Sequence, residues 1–244
     1  MKKSISGLVW ATLVLSVFYP VGCAAVACFG CILTVPSIAV YAFVTAFLSV
    51  CTVIIGFFVK EKSVSKSAMA VSAVLPPFSL ICAVFCLIKC STAFVAVCCL
   101  VSVVCSVTLA IRYGGPLILK TVSLVLTALL IIPAGSIMTV VLLFGKLSAN
   151  TVVRTVESPS GQYYVEVIDS DQGALGGDTR VELYERVLDL GVFKIQKKPR
   201  RLYTGHYGEY SDMEIYWKDD SFVVINSVGY DVDFTYQGKA FEQD

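Results

Sequence analysis

The chain has 244 residues, 57% of them hydrophobic, and a mean hydropathy of +0.79, well above the roughly 45 to 50% apolar content of soluble domains. Its net charge of +1 hides a division: residues 1–146 hold nine Lys/Arg against Glu61 alone, a balance of +8, whereas residues 147–244 hold ten basic and seventeen acidic side chains, a balance of −7. An ordinary soluble protein is excluded, and two solvents are implied, one lipidic and one aqueous.

Five apolar spans are predicted in chain order. Residues 4–59 divide into spans over 7–29 and 37–59, because Gly30 and Pro36 mark a break between them. Residues 68–111 form a 44-residue stretch whose only charge is Lys89. One helix of that length would reach roughly 66 Å at 1.5 Å per residue, about twice a hydrocarbon core. Two helices, 68–88 and 92–111, are therefore expected around a turn at KCST, residues 89–92. The fifth span covers 118–145, with Lys120 near its start and a kink expected at Pro133. The first span also carries signal-peptide features, MKK before an apolar run and AAVA at 24–27, together with VGC at 21–23. The apolar run continues past both sites, so the span is read as retained.

An odd number of spans puts the termini on opposite faces, and the Lys/Arg distribution sets the direction. With the N-terminus inside, the cytoplasmic segments hold Lys2, Lys3, Lys60, Lys62, Lys66, Arg112 and Lys120, and the outer ones only Lys89 and Lys146. Seven against two predicts residues 147–244 outside the cytoplasm at the cell membrane. No Asp, Glu, His or Arg occupies the middle of a span, which weakens a transporter reading, and Pro76 and Pro77 are read as packing kinks. All ten cysteines lie in the apolar half. Cys82, Cys86 and Cys90 share one helix face, where a soft metal such as Cu(I) could bind, but close helix packing is the reading adopted.

From Thr151 the period changes to two. TVVRTV leads out of the membrane, SPSG (158–161) is a turn, and YYVEVI (163–168) sets Tyr163, Val165 and Val167 on one face against Tyr164, Glu166 and Ile168 on the other. RVELYE (180–185) alternates similarly, and MEIYW (213–217) and FVVIN (222–226) form a hairpin around KDDS. The fold class expected is a polytopic helical membrane region, 1–146, followed by a small antiparallel all-β extracytoplasmic domain, 147–244, without substantial helix.

SPSGQYYVEV, GALGGDTRVELY and EIYWKDDSFVVINSVGYDV, in that order, resemble the bacterial domain-of-unknown-function family 5412 over residues 157–232. Gln162 stands where that family usually has Lys, and LDLGVFKIQKKPRRLYTG is longer than the family's corresponding segment. The resemblance implies a membrane-tethered domain with this boundary and fold class. It implies no chemistry, because the family has no assigned activity.

Candidate chemistry in the β region is sparse. DSDQG (169–173) begins like a calcium loop, but Ala174 stands at position 6 and Arg180 at position 12, so Asp169, Asp171 and Asp178 read as an acidic hairpin loop. GALGG (173–177) reads as turn chemistry rather than a phosphate loop, and His206 has no spacing that marks a catalytic triad. No catalytic residue, metal or cofactor is expected. The basic run KKPRR and the aromatics after it make the candidate binding surface: Lys197, Lys198, Arg200, Arg201, Tyr203, Tyr207 and Tyr210. Expected partners are membrane lipid, another membrane protein or an anionic envelope polymer, and not nucleic acid. Binding or scaffolding at the cell envelope is the function expected, with a transporter or permease subunit and an extracytoplasmic enzyme as alternatives.

Overall fold

The computed structural model describes residues 2–59, 64–90, 92–144, 149–171, 173, 176–220, 222–228 and 233–239. Lys60, Lys62, Ser91 and Lys146, used above to place turns and charges, lie outside the described residues, as do Ala174, Leu175, Ser221 and the end of the fifth predicted span. The chain divides into two units, Met1–Ala25 with Ser37–Leu143, and Val26–Pro36 with Phe144–Asp244.

The first unit is built from α1 (Lys2–Cys28), α2 (Ile38–Phe58), α3 (Lys66–Lys89), α4 (Ala93–Tyr113) and α5 (Leu117–Phe144). All five are long and apolar enough to cross a membrane, and this is a membrane protein. Each hydroxyl before α2, α3 and α4 caps the helix, Ser37 accepting from the Val40 amide, Ser65 from Ala68 and Thr92 from Val95. Ile5 and Val9 of α1 are fully buried in a cluster with Val71 and Leu75 of α3 and Leu109 of α4. Hydroxyls join the helices inside this apolar packing, Thr12 to Thr52 at 3.3 Å and Ser16 to Ser79 at 3.4 Å. The buried Tyr113 hydroxyl donates to the Val59 carbonyl at 2.8 Å and also meets that of Gly56. Ile5, Val9, Thr12 and Ser16 thus set one face of α1 against the other helices.

The second unit contains β1 (Cys31–Thr34), β2 (Ala149–Glu157), β3 (Tyr163–Asp171), β4 (Gly177–Asp189), β5 (Lys194–Lys197), β6 (Arg200–His206), β7 (Met213–Trp217), β8 (Phe222–Val228) and β9 (Asp233–Lys239). One antiparallel sheet runs β1-β5-β4-β3-β2 with β6 also on β4, and a second runs β7-β8-β9. β4 pairs with β6 through Asp178–Leu183 and with β5 through Arg186–Asp189. β5 and β6 are thus one edge of β4, interrupted at Pro199, which has no N–H to give a ladder. Val165, Val167, Val181 and Leu183 of the first sheet pack against Met213, Ile215, Val223 and Ile225 of the second. Face-to-face packing of two sheets puts the core between them.

Three expectations change. Residues 30–37, read as a break inside a membrane region, contain β1, which pairs Cys31–Thr34 with Lys197–Lys194, so the β unit begins before the second span. The basic-aromatic segment, to which no strand was assigned above, is largely β6, because β4 is long enough to offer a second partner along its edge. β9 was not foreseen. The described residues of 149–239 hold no α-helix, only 3-10 turns such as Glu209–Asp212.

Candidate binding surface

The four predicted cations lie along the β5–β6 edge, where β4 supplies carboxylates. Lys197 Nζ meets Glu185 Oε2 at 2.7 Å, and Arg201 Nη2 lies 3.8 Å from Glu182 Oε1. The Glu185 contact, first through its hydrogen bond, holds the Lys197 ammonium above its ordinary range. Both cations are more than half exposed, so each pair is worth at most about 1 kcal/mol. The Lys198 amide donates to the Gly30 carbonyl at 3.1 Å, joining the basic run to the segment that carries β1.

The predicted tyrosines do not join this strip. Leu202 is the extra residue where the β4–β6 register slips between Val181 and Glu182, and such a bulge lets Leu202 and Tyr203 both pack on the core. Tyr210 packs there too. Only Tyr207 is substantially exposed, at 56%. A Cβ on Gly177 would lie 2.5 Å from its ring, and the charges of Asp169, then Asp171, push its phenol up.

The acidic loop does not gather its carboxylates. Asp169 stands opposite Thr179 and Asp178 opposite Ser170, so strand alternation sends Asp169 and Asp178 to opposite faces. Asp171 Oδ1 accepts from its own turn, at the Gly173 amide, 2.7 Å away, while Asp178 Oδ2 is 2.6 Å from Arg180 Nε. His206 ends β6 with its amide on Glu209 Oε2 at 2.7 Å. In the helical unit, Cys82 and Cys86 line a void of about 10 Å³ with Cys99, Ser16 and Ser79. Cys90 is the C-cap of α3, its amide on the Cys86 carbonyl at 2.9 Å, and does not line that void. Among the described residues no group of three or more His, Cys, Asp or Glu is arranged to hold a metal ion.

A polar cluster that sequence reasoning passed over occupies the other face of the first sheet. Tyr-x-Glu in β3 runs antiparallel to Glu-x-Tyr in β4, so Tyr164 stands opposite Tyr184 and Glu166 opposite Glu182. The tyrosine rings stack at 4.9 Å and 7°. Tyr164 donates to Gln196 Oε1 at 2.6 Å beneath the Arg186 guanidinium, which also pairs with Glu157. Burial pushes the Tyr164 phenol up to about 12. Burial likewise raises the Glu166 carboxyl; the Tyr184 hydroxyl opposes this and the Glu182 charge adds to it.

A raised carboxyl means the folded state holds that proton more tightly than the unfolded chain, so stability falls as pH rises from the ordinary glutamate range through the raised value. Glu157, lowered first by its Arg186 hydrogen bond, acts in the opposite sense, losing its contribution as pH falls. Glu166→Gln is therefore expected to flatten the alkaline side of this profile and to stabilise the domain at neutral pH by about 0.2 to 1 kcal/mol, the range for like charges across strands. Thermal unfolding of the parent and variant between pH 4 and 8 (about the range in which perturbed carboxyls titrate) measures this, and parallel profiles would remove Glu166 as the cause.

Comparison with protein-family models, with curated proteins and with solved structures finds no match for this chain.

Proposed function

We propose that this membrane protein has its N-terminus in the cytoplasm and displays its β unit outside, for binding or scaffolding at the cell envelope rather than for catalysis. The observation that carries the reading is the Lys/Arg asymmetry of the segments flanking the spans, seven against two. The pairing of β1 with β5 supports it. Four candidate spans, α2 to α5, separate β1 from β2, and an even number of crossings returns the chain to the face it left. The β5–β6 cations, Lys197, Lys198, Arg200 and Arg201, are the surface proposed to meet anionic headgroups or envelope polymers, with Tyr207 beside the acidic turn as a separate aromatic contact. Membership of family 5412 belongs to the same proposal and adds no chemistry to it.

Reporters that work only outside or only inside the cytoplasm, fused after Asp244, test the orientation. Activity of the outside reporter alone is expected; activity of the cytoplasmic one alone overturns it. For the binding surface, replacing the four cations with Ser is expected to weaken low-salt sedimentation with anionic vesicles or wall polymers, and unchanged sedimentation of the folded variant removes that surface.

A further inference from the structure

Among the exposed apolar side chains of the β unit, which also include Phe29, Val152 and Val153, four cluster in the hairpin between β4 and β5. Val187 is 53% exposed, Leu188 41%, Leu190 56% and Val192 75%. The hairpin holds a defined shape through its own polar groups: Gly191 N donates to Asp189 Oδ1 at 2.9 Å, Leu190 N to the Phe193 carbonyl at 3.1 Å, and Lys194 Nζ meets Asp189 Oδ2 at 3.0 Å. Gly191 supplies the left-handed φ of 72° that closes the turn. The turn satisfies its polar groups internally while its apolar side chains stay exposed, an arrangement costly in water and suited to a nonaqueous neighbour.

Chain connectivity identifies that neighbour. β1 begins three residues after α1 ends at Cys28, and only residues 35–37 separate Thr34 from the start of α2 at Ile38. Thr34 pairs with Lys194, the first residue of β5, directly beside the hairpin tip. The four residue steps from Thr34 to Ile38 span at most about 14 Å when extended, so the sheet edge beside the hairpin is tied to a candidate span by a short link. Phe29, on the other side of β1, is 84% exposed. The cations of the hairpin base, Lys194 and Lys197, are placed to meet phosphate oxygens once apolar residues enter below them.

We propose that the β4–β5 hairpin tip, Val187 to Phe193, inserts into the interfacial layer of the bilayer that α1 and α2 cross. This rests on the membrane reading of those helices and not on which face carries the β unit.

The test uses the full chain reconstituted in vesicles of phosphatidylcholine and phosphatidylglycerol. A photoreactive benzoylphenylalanine is placed at Val192, at Ile132 in α5 as a lipid-facing control, and at Tyr216 in β7 as a control on the β unit. Phospholipid adducts are expected at 192 and 132 and not at 216. If 132 takes lipid while 192 gives no lipid adduct, or gives adducts only to another protein or a second copy of the chain, the proposal is overturned. Lipid capture does not depend on the face, and the reporter fusions read the face separately, so failure of either reading is recognisable. Leu190→Asp with Val192→Asp gives a second readout. Because both positions are exposed the domain is expected to stay folded, and protease cleavage within 187–193 in vesicles should rise at least about tenfold, the change expected if the inserted state is favoured by about 1.4 kcal/mol or more; unchanged cleavage counts against insertion.

Discussion

Replacing Leu33 with Asp is expected to strip β1 from the sheet and to speed amide exchange in Lys194–Lys197 by about 100-fold or more. Leu33 is only 4% exposed and stands opposite Ile195. Exchanging a buried leucine for a carboxylate loses its transfer free energy and buries an unpaired charge, a cost of about 3 kcal/mol or more. At 1.4 kcal/mol per tenfold, that is at least about two orders of magnitude in local opening. Hydrogen exchange on the intact chain in detergent measures it, and Leu33→Met, which conserves volume, should leave exchange close to the parent. Unchanged protection of β5 in the Asp variant would mean that β1 contributes nothing to the sheet. The same reasoning changes what residues 147–244 can do alone. Without β1 the outer edge of β5 presents unpaired backbone groups, a template for association, which a fragment carrying residues 29–36 would cover.

The spans were legible because lipid imposes a constraint each segment must meet by itself, about twenty apolar residues with every backbone bond internal. Predicted and observed ends mostly agree within two residues, 37–59 against Ile38–Phe58 and 92–111 against Ala93–Tyr113. β3, β4 and β7 were legible for a related reason, that alternation is written into neighbouring residues, and β8 was legible as a short apolar run closing a hairpin. β1 was not. CILT is three apolar residues and a threonine between two apolar spans, and what makes it a strand is KIQK, its partner 160 residues away at Thr34 and Lys194. No local period carries that information. β6 was hidden by its charges, because RRLYTGH reads as a solvated loop until Glu182 of β4 is seen beside Arg201.

The functional residues divide along the same line. Sequence identified Lys197, Lys198, Arg200 and Arg201 as a run, and they do share one edge; it grouped Tyr203, Tyr207 and Tyr210 with them, and a bulge and a 3-10 turn separate these. The Tyr164–Tyr184 and Glu166–Glu182 pairs were present in the sequence as YVE and ELY. Reading them required only the step from alternation within a strand to register between strands, since antiparallel pairing of Tyr-x-Glu with Glu-x-Tyr puts like against like.

Gly177→Ala should lower the melting temperature of the β unit by about 4 to 24 °C and release Tyr207 from its place. A Cβ at Gly177 would stand 2.5 Å from the Ser170 carbonyl oxygen and 2.5 Å from Tyr207 Cδ2. The ring can rotate away. The carbonyl cannot move without separating the first residues of β4 from the end of β3, where Gly177 pairs with Asp171. Overpacking of this kind costs about 1 to 3 kcal/mol, and about 1 kcal/mol moves the melting point of a domain this size by roughly 4 to 8 °C. Adding Tyr207→Ala separates the two contacts: if backbone crowding dominates, the double variant melts no higher than Gly177→Ala. Recovery to the parent's stability would assign the whole cost to the ring. Glycine at 177 would then serve to seat Tyr207 against the acidic turn, where Asp169 and Asp171 raise its phenol, rather than to let β3 and β4 meet.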